Sequence, residues 1–113
     1  MMGALEISEE GIAAVLSLNG KIMGGPEAGQ INGAINDLID RGKKKVVIDL
    51  SNTEWMNSSG LGILIGAATT LKNNNGTLVL IHVSDRIMNL LKITKLNSVF
   101  NIADSYDEAV NSL

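Results

Sequence analysis

Apolar positions along the chain follow two rhythms, one short and one helical. Leu5 to Ile7 and Ile12 to Leu18 read as short strands, with "SEEG", residues 8 to 11, as the hairpin turn between them. "GKIMGGP", residues 20 to 26, reads as a break, and Pro26 suits the first turn of a helix, where its missing N–H removes no bond. Ala28, Ile31, Ile35 and Leu38 then recur at helical spacing until Gly42 stops them. "KVVIDL", residues 45 to 50, and "TLVLIHV", residues 77 to 83, are unbroken β-branched and apolar runs, as expected of strands buried on both faces. Between them Leu61, Leu64, Ile65, Ala68 and Leu71 mark a second helix that ends at "NNNG". Ser84 can cap a third helix carrying Ile87, Leu90 and Leu91. A last strand near residues 99 to 102 leads to a terminal helix with Tyr106, Ala109, Val110 and Leu113 on one side.

Strand alternating with helix is the grammar of parallel crossovers, which are nearly always right-handed. The expected class is therefore α/β: one mixed sheet, an N-terminal hairpin followed by parallel crossovers, packed with about four helices. The 113 residues suffice for a single domain spanning 1–113. Hydrophobic residues make up 45% and charged residues 19%, a globular balance rather than a disordered one.

Charge and composition then exclude several functions. A net charge of -3 gives no general attraction to nucleic acid or to an anionic membrane. The absence of cysteine removes disulfides, thiolate metal sites and cysteine nucleophiles, and fits a reducing, cytoplasmic setting. "MMGALEISEE" turns acidic where a signal peptide would be basic and then apolar. The apolar run from Leu61 to Ala68 falls far short of the ~20 residues of a spanning helix. With one histidine, His82, no transition-metal site is expected, and nothing calls for a cofactor. "RGKKK", residues 41 to 45, reads most simply as a solvated turn before a buried strand.

The chemistry worth weighing lies at "WMNSSGLGILIG", residues 55 to 66, where a strand-to-helix connection meets a helix start. In open α/β sheets, ligands and partners gather at such ends. The simplest role for a serine there is to cap the helix. Asn57, Ser58 and Ser59, however, supply three caps where one suffices. With Asn57 as the cap, Ser58 becomes the first helical residue, its hydroxyl facing solvent, and Gly60 leaves the turn bare of side-chain bulk. A phosphate on Ser58 would add roughly -1.5 to -2 charges where a helix start favours anions.

From "KKVVIDLSNTEWMNSSGLGILIG" through "LLKITKL" to "DSYDEAV", nearly the whole chain resembles a STAS domain, specifically a bacterial anti-sigma factor antagonist. The most specific element is "VVIDLSNTEWMNSSGLGIL". In that family the corresponding stretch ends in Asp-Ser-Ser-Gly or Asp-Ser-Thr-Gly, and the serine after the aspartate is phosphorylated; that position is Ser58. The resemblance implies partner switching. The unphosphorylated protein binds an anti-sigma factor, an ATP-binding serine kinase; phosphorylation of Ser58 ends the binding and a serine phosphatase restores it. It also implies a partner-facing surface of Met23, Gly24, Gly25, Trp55, Asn57, Ser58, Ser59 and Gly60. Two positions depart from the family pattern: Asn57 replaces the aspartate before the serine, and Met23 stands where an aspartate is frequent.

Other residues have plainer readings. "GGP", residues 24 to 26, is a loop entering a helix before it is a phosphate nest, and Trp55 is a packing residue as readily as an interface residue. Ile63 and Ala67 widen the apolar stripe of the second helix, with cover by neighbouring helices as the default. Glu27 and Asp49 form no recognisable carboxylate pair. An enzyme using Ser58 as nucleophile and His82 as base is disfavoured, because Met56 occupies the first glycine position of a nucleophile elbow and no acid to orient His82 is evident. STAS-like domains also serve as subunits of lipid-transport and stress-signalling complexes, which need no phosphate cycle.

Overall fold

The computed structural model describes residues 5–10 and 13–112. Strands β1 (Leu5–Glu10) and β2 (Ala13–Leu18) form an antiparallel pair. β1 runs on through Ser8 to Glu10, so the segment read as a turn is strand over those residues; the remaining turn position, Gly11, lies outside the described residues. Next come β3 (Gly20–Ile22), α1 (Pro26–Asp40), β4 (Lys45–Asp49), β5 (Thr53–Met56) and α2 (Ser58–Asn73). The order then continues with β6 (Thr77–Ile81), α3 (Asp85–Ile93), β7 (Asn101–Ala103) and α4 (Tyr106–Asn111).

The main sheet has the order β1-β2-β4-β6-β7, antiparallel at β1/β2 and parallel elsewhere. The expected α/β class, mixed sheet and four helices are all present among the described residues. Alternation across the pleat divides the core. Leu16, Ile48 and Leu80 point into the larger cluster, which Ile31, Ile35, Leu38, Leu61, Leu64, Leu71, Ile87 and Leu91 complete from α1, α2 and α3. Val15, Val47, Val79 and Ile81 face the other way, toward Ala109, Tyr106 and Val110 of α4. Ile63 and Ala67 are buried in the larger cluster, so the wide apolar stripe of α2 is covered by the fold itself.

Where the sequence reads as a break at Gly20–Pro26, the structure has a further two-stranded sheet of β3 and β5, running parallel. It is held at its base by the Gly20 amide donating to Asn52 O at 2.9 Å and by the Thr53 hydroxyl donating to Leu18 O at 2.7 Å. This small sheet carries both the loop into α1 and the turn into α2. The final strand sits slightly later than its apolar residues suggested, because Val99 is exposed and Phe100 turns into the core before pairing begins at Asn101.

Candidate functional site

The turn between β5 and α2 is built around Asn57. Its backbone is extended, with φ -106° and ψ -174°, as an N-cap requires. Asn57 Oδ1 accepts from the Gly60 amide at 2.9 Å, while Nδ2 donates to Met23 O, on the loop between β3 and α1, at 3.3 Å. One side chain therefore caps the helix and ties the two loops together. Ser58 is the first residue of α2; Ser58 and Ser59 are both exposed, and neither hydroxyl has a hydrogen-bond partner among the described residues. The first turn contains no acidic side chain. An exposed hydroxyl thus stands at the positive end of a 16-residue helix, with nothing in that turn to repel a phosphate.

Gly60 has a different role from the one its sequence position suggests. It is buried, and a β-carbon there would run into the Ile22 carbonyl oxygen and lie 2.7 Å from Met56 Cγ. The space left by the missing side chain is occupied by the chain's own β3, so Gly60 shapes the surface from beneath. Gly24 and Gly25 adopt φ of 100° and 71°, conformations that side chains rarely take, and Gly24 packs beside Ser59. Gly25 precedes α1 without a side-chain cap, and its carbonyl accepts from Ala28 N at 3.1 Å. Met23 is 44% exposed, an apolar side chain offered to solvent between these glycines and β3.

Trp55 belongs to the same surface but faces α3. It is 39% exposed, and Arg86 Cζ lies 5.5 Å from its ring centroid, within cation–π range. Beside it runs an apolar groove of about 180 Å³ between β5 and α3, lined by Met56, Ile87, Leu90 and Ile93. Sequence spacing gave no notice of Arg86 or of Ile93, which is 79% exposed.

His82 follows β6 in a left-handed conformation, φ 55°. Its Nδ1 is 2.9 Å from Asp49 Oδ1, which also accepts from the Ser51 amide at 2.9 Å. The acid that the sequence did not reveal is thus Asp49, at the end of the neighbouring strand. Partial burial pushes the Asp49 carboxyl up, but the Ser51 amide, the His82 ring, the Ser51 hydroxyl and the charge on His82 together hold it below its ordinary value. Among the described residues no hydroxyl is hydrogen-bonded to His82, so Ser58 and His82 form no nucleophile–base pair. No cluster of three or more His, Asp or Glu side chains that could hold a metal occurs among the described residues, and no helix is long and apolar enough to cross a membrane.

The fold has counterparts in known proteins. The family model of the STAS domain matches residues 5–109. The chain belongs to the STAS domain family. Over 55 residues this STAS domain is 40% identical to the anti-sigma-B factor antagonist of Listeria monocytogenes, a match covering 49% of this chain and 48% of that protein. The match thus spans about half the length of that relative. Among solved structures it resembles an anti-sigma factor antagonist from Mycobacterium paratuberculosis, with a TM-score of 0.79, 23% identity and coverage of 96% and 91%. It also resembles the Bacillus cell fate determinant SpoIIAA in its phosphorylated form, with a TM-score of 0.73, 21% identity and coverage of 96% and 98%. At those identities the two structural likenesses concern the fold of the STAS domain alone.

Proposed function

We propose that this chain is an anti-sigma factor antagonist, a binding module rather than an enzyme, whose affinity is set by phosphorylation of Ser58. Its partner is an anti-sigma factor of the ATP-binding serine-kinase type in the cytoplasm, and a serine phosphatase resets it. The observation that carries this reading is the exposed, unbonded Ser58 hydroxyl beside an Asn57 that already performs the capping. Relatives named as anti-sigma-B factor antagonists, and a protein of the same fold solved in a phosphorylated form, support it.

The switch needs no rearrangement of the fold. A partner surface fitted to a neutral hydroxyl must desolvate a dianion once Ser58 is modified, and without a buried opposite charge that penalty reaches several kcal/mol. About 3 kcal/mol already shifts affinity more than a hundredfold. The proposed partner face also takes in Met23, Gly24, Gly25, Trp55 and Ser59, and Asn57 ties the Met23 loop to the turn that carries Ser58.

The test pairs modification with binding. With the purified cognate kinase and ATP, Ser58→Ala protein takes up no phosphate and binds the kinase as wild type does. Ser58→Asp binds on the order of a hundredfold more weakly. Phosphate on another residue, or wild-type affinity in both variants, overturns the reading.

A further inference from the structure

The groove between β5 and α3 has an apolar floor, two apolar walls and a cation at its rim. Met56 and Ile87, each 1% exposed, form the floor. Trp55 on β5 makes one wall, and Leu90 and Ile93 on α3 make the other. Arg86, Leu90 and Ile93 stand at i, i+4 and i+7, so one face of α3 carries both the charge and the wall. Trp55 and Ile93, both exposed, border the same concavity. Their exposure is therefore one joined patch and not two scattered side chains.

Size limits the occupant. The groove holds about 180 Å³, and a cavity of about 150 Å³ accommodates one benzene ring. The space beside Trp55 thus takes a single ring or a short alkyl chain. A long acyl tail does not fit within it.

Charge narrows the choice further. Arg86 Cζ lies 5.5 Å from the Trp55 ring centroid, a contact that engages the positive charge but accepts no hydrogen bond in the guanidinium plane. Among the described residues the N–H groups of Arg86 have no acceptor, and no carboxylate lies within ion-pairing distance of it. The Asn89 amide, also on the groove, has no hydrogen-bond partner among those residues either. A guanidinium fork matches a carboxylate through two parallel bonds. A neutral apolar molecule would leave Arg86 unanswered, and a bare anion would leave the walls uncovered.

We propose that this groove binds a small free monocarboxylate, its ring or short chain against Trp55, Leu90 and Ile93 and its carboxylate on Arg86. The site uses neither Ser58 nor a partner protein, so it stands or falls apart from the function proposed above.

Trp55 is the only tryptophan of the chain, and its fluorescence reads the groove directly. Titration of the full chain with sodium hexanoate shifts that emission saturably, with a Kd on the order of 1 mM. Sodium acetate and 1-hexanol, each half of the ligand, bind roughly tenfold more weakly or worse. Arg86→Gln weakens hexanoate about tenfold and leaves 1-hexanol unchanged, whereas Ile93→Ser weakens both about threefold. Lys72→Gln, in the last turn of α2, alters neither. Amide chemical shifts recorded in the same titrations move only around residues 55–56 and 86–93, and their dispersion shows that each variant is folded. Absence of saturation below about 20 mM overturns the site. So does an equal response to acetate and hexanoate, or a loss in Lys72→Gln as large as that in Arg86→Gln.

Discussion

Ser84 and Ser58 both stand at the start of a helix, yet their hydroxyls do different things. Ser84 precedes α3, and its Oγ accepts from Ile87 N at 3.2 Å; Ser105 does the same before α4, toward Glu108 N at 3.2 Å. Both hydroxyls are spent on their own backbones. At α2 the cap is moved one residue earlier, to Asn57, and Ser58 is left inside the helix with its oxygen in solvent. The same residue type is structural in two places and available for chemistry in the third, and a one-residue shift of the cap decides which. Asn57 does more than a capping serine would, because an amide also has donors, and one of them holds the Met23 carbonyl.

The contrast is open to attack by substitution. The largest effect is expected beneath the turn: Gly60→Ala forces a methyl group into the Ile22 carbonyl and destabilises the fold by about 3 kcal/mol in urea denaturation. Gly62→Ala, one helix position pair away and with nothing within 4 Å of an added β-carbon, instead stabilises by roughly 0.5–1 kcal/mol. Equal responses would mean that β3 does not press on α2 as described.

Next come the caps. Asn57→Ala and Ser84→Ala each lower stability by about 1 kcal/mol, with Asn57 the larger because its tie to Met23 is lost as well. Ser58→Ala changes stability by no more than about 0.5 kcal/mol. A Ser58→Ala loss matching that of Ser84→Ala would show that Ser58 is a cap after all.

The smallest effect concerns the Asp49–His82 tie at the ends of β4 and β6. Because the folded carboxyl titrates below its ordinary value, its contribution to stability is complete above the unfolded value of about 4 and is lost as pH falls through the folded one. In His82→Gln the Asp49 midpoint, followed by side-chain carboxyl NMR, moves up toward the ordinary value. An unmoved midpoint would assign the effect to Ser51 alone.

Much of this was legible in the chain. The runs at 46–48 and 78–81 are apolar on both faces because the strands are covered by α1, α2 and α3 on one side and by α4 on the other. Helix starts at Pro26, Asn57 and Ser84 follow from local chemistry that needs no tertiary context. The β3/β5 sheet was not legible: strands of three and four residues carry too few positions to show alternation, and "GKI" beside two glycines reads as loop. The Asp49–His82 pair was hidden because only the parallel register, Asp49 beside Ile81, brings residues 33 apart in sequence together. The inward role of Gly60 is a tertiary contact, and a glycine in sequence does not say what fills the space it leaves.

The nearness of Gly24 to Ser59 bears on selectivity. A side chain at position 24 would place its first carbon 3.2 Å from Ser59 Cβ, so the β3–α1 loop leans over the second of two adjacent serines and not over the first. The twin hydroxyls thus share the same intrinsic chemistry but not the same clearance. For the phosphorylation proposed above, that difference would favour Ser58, and it is set by a loop more than thirty positions away in the chain.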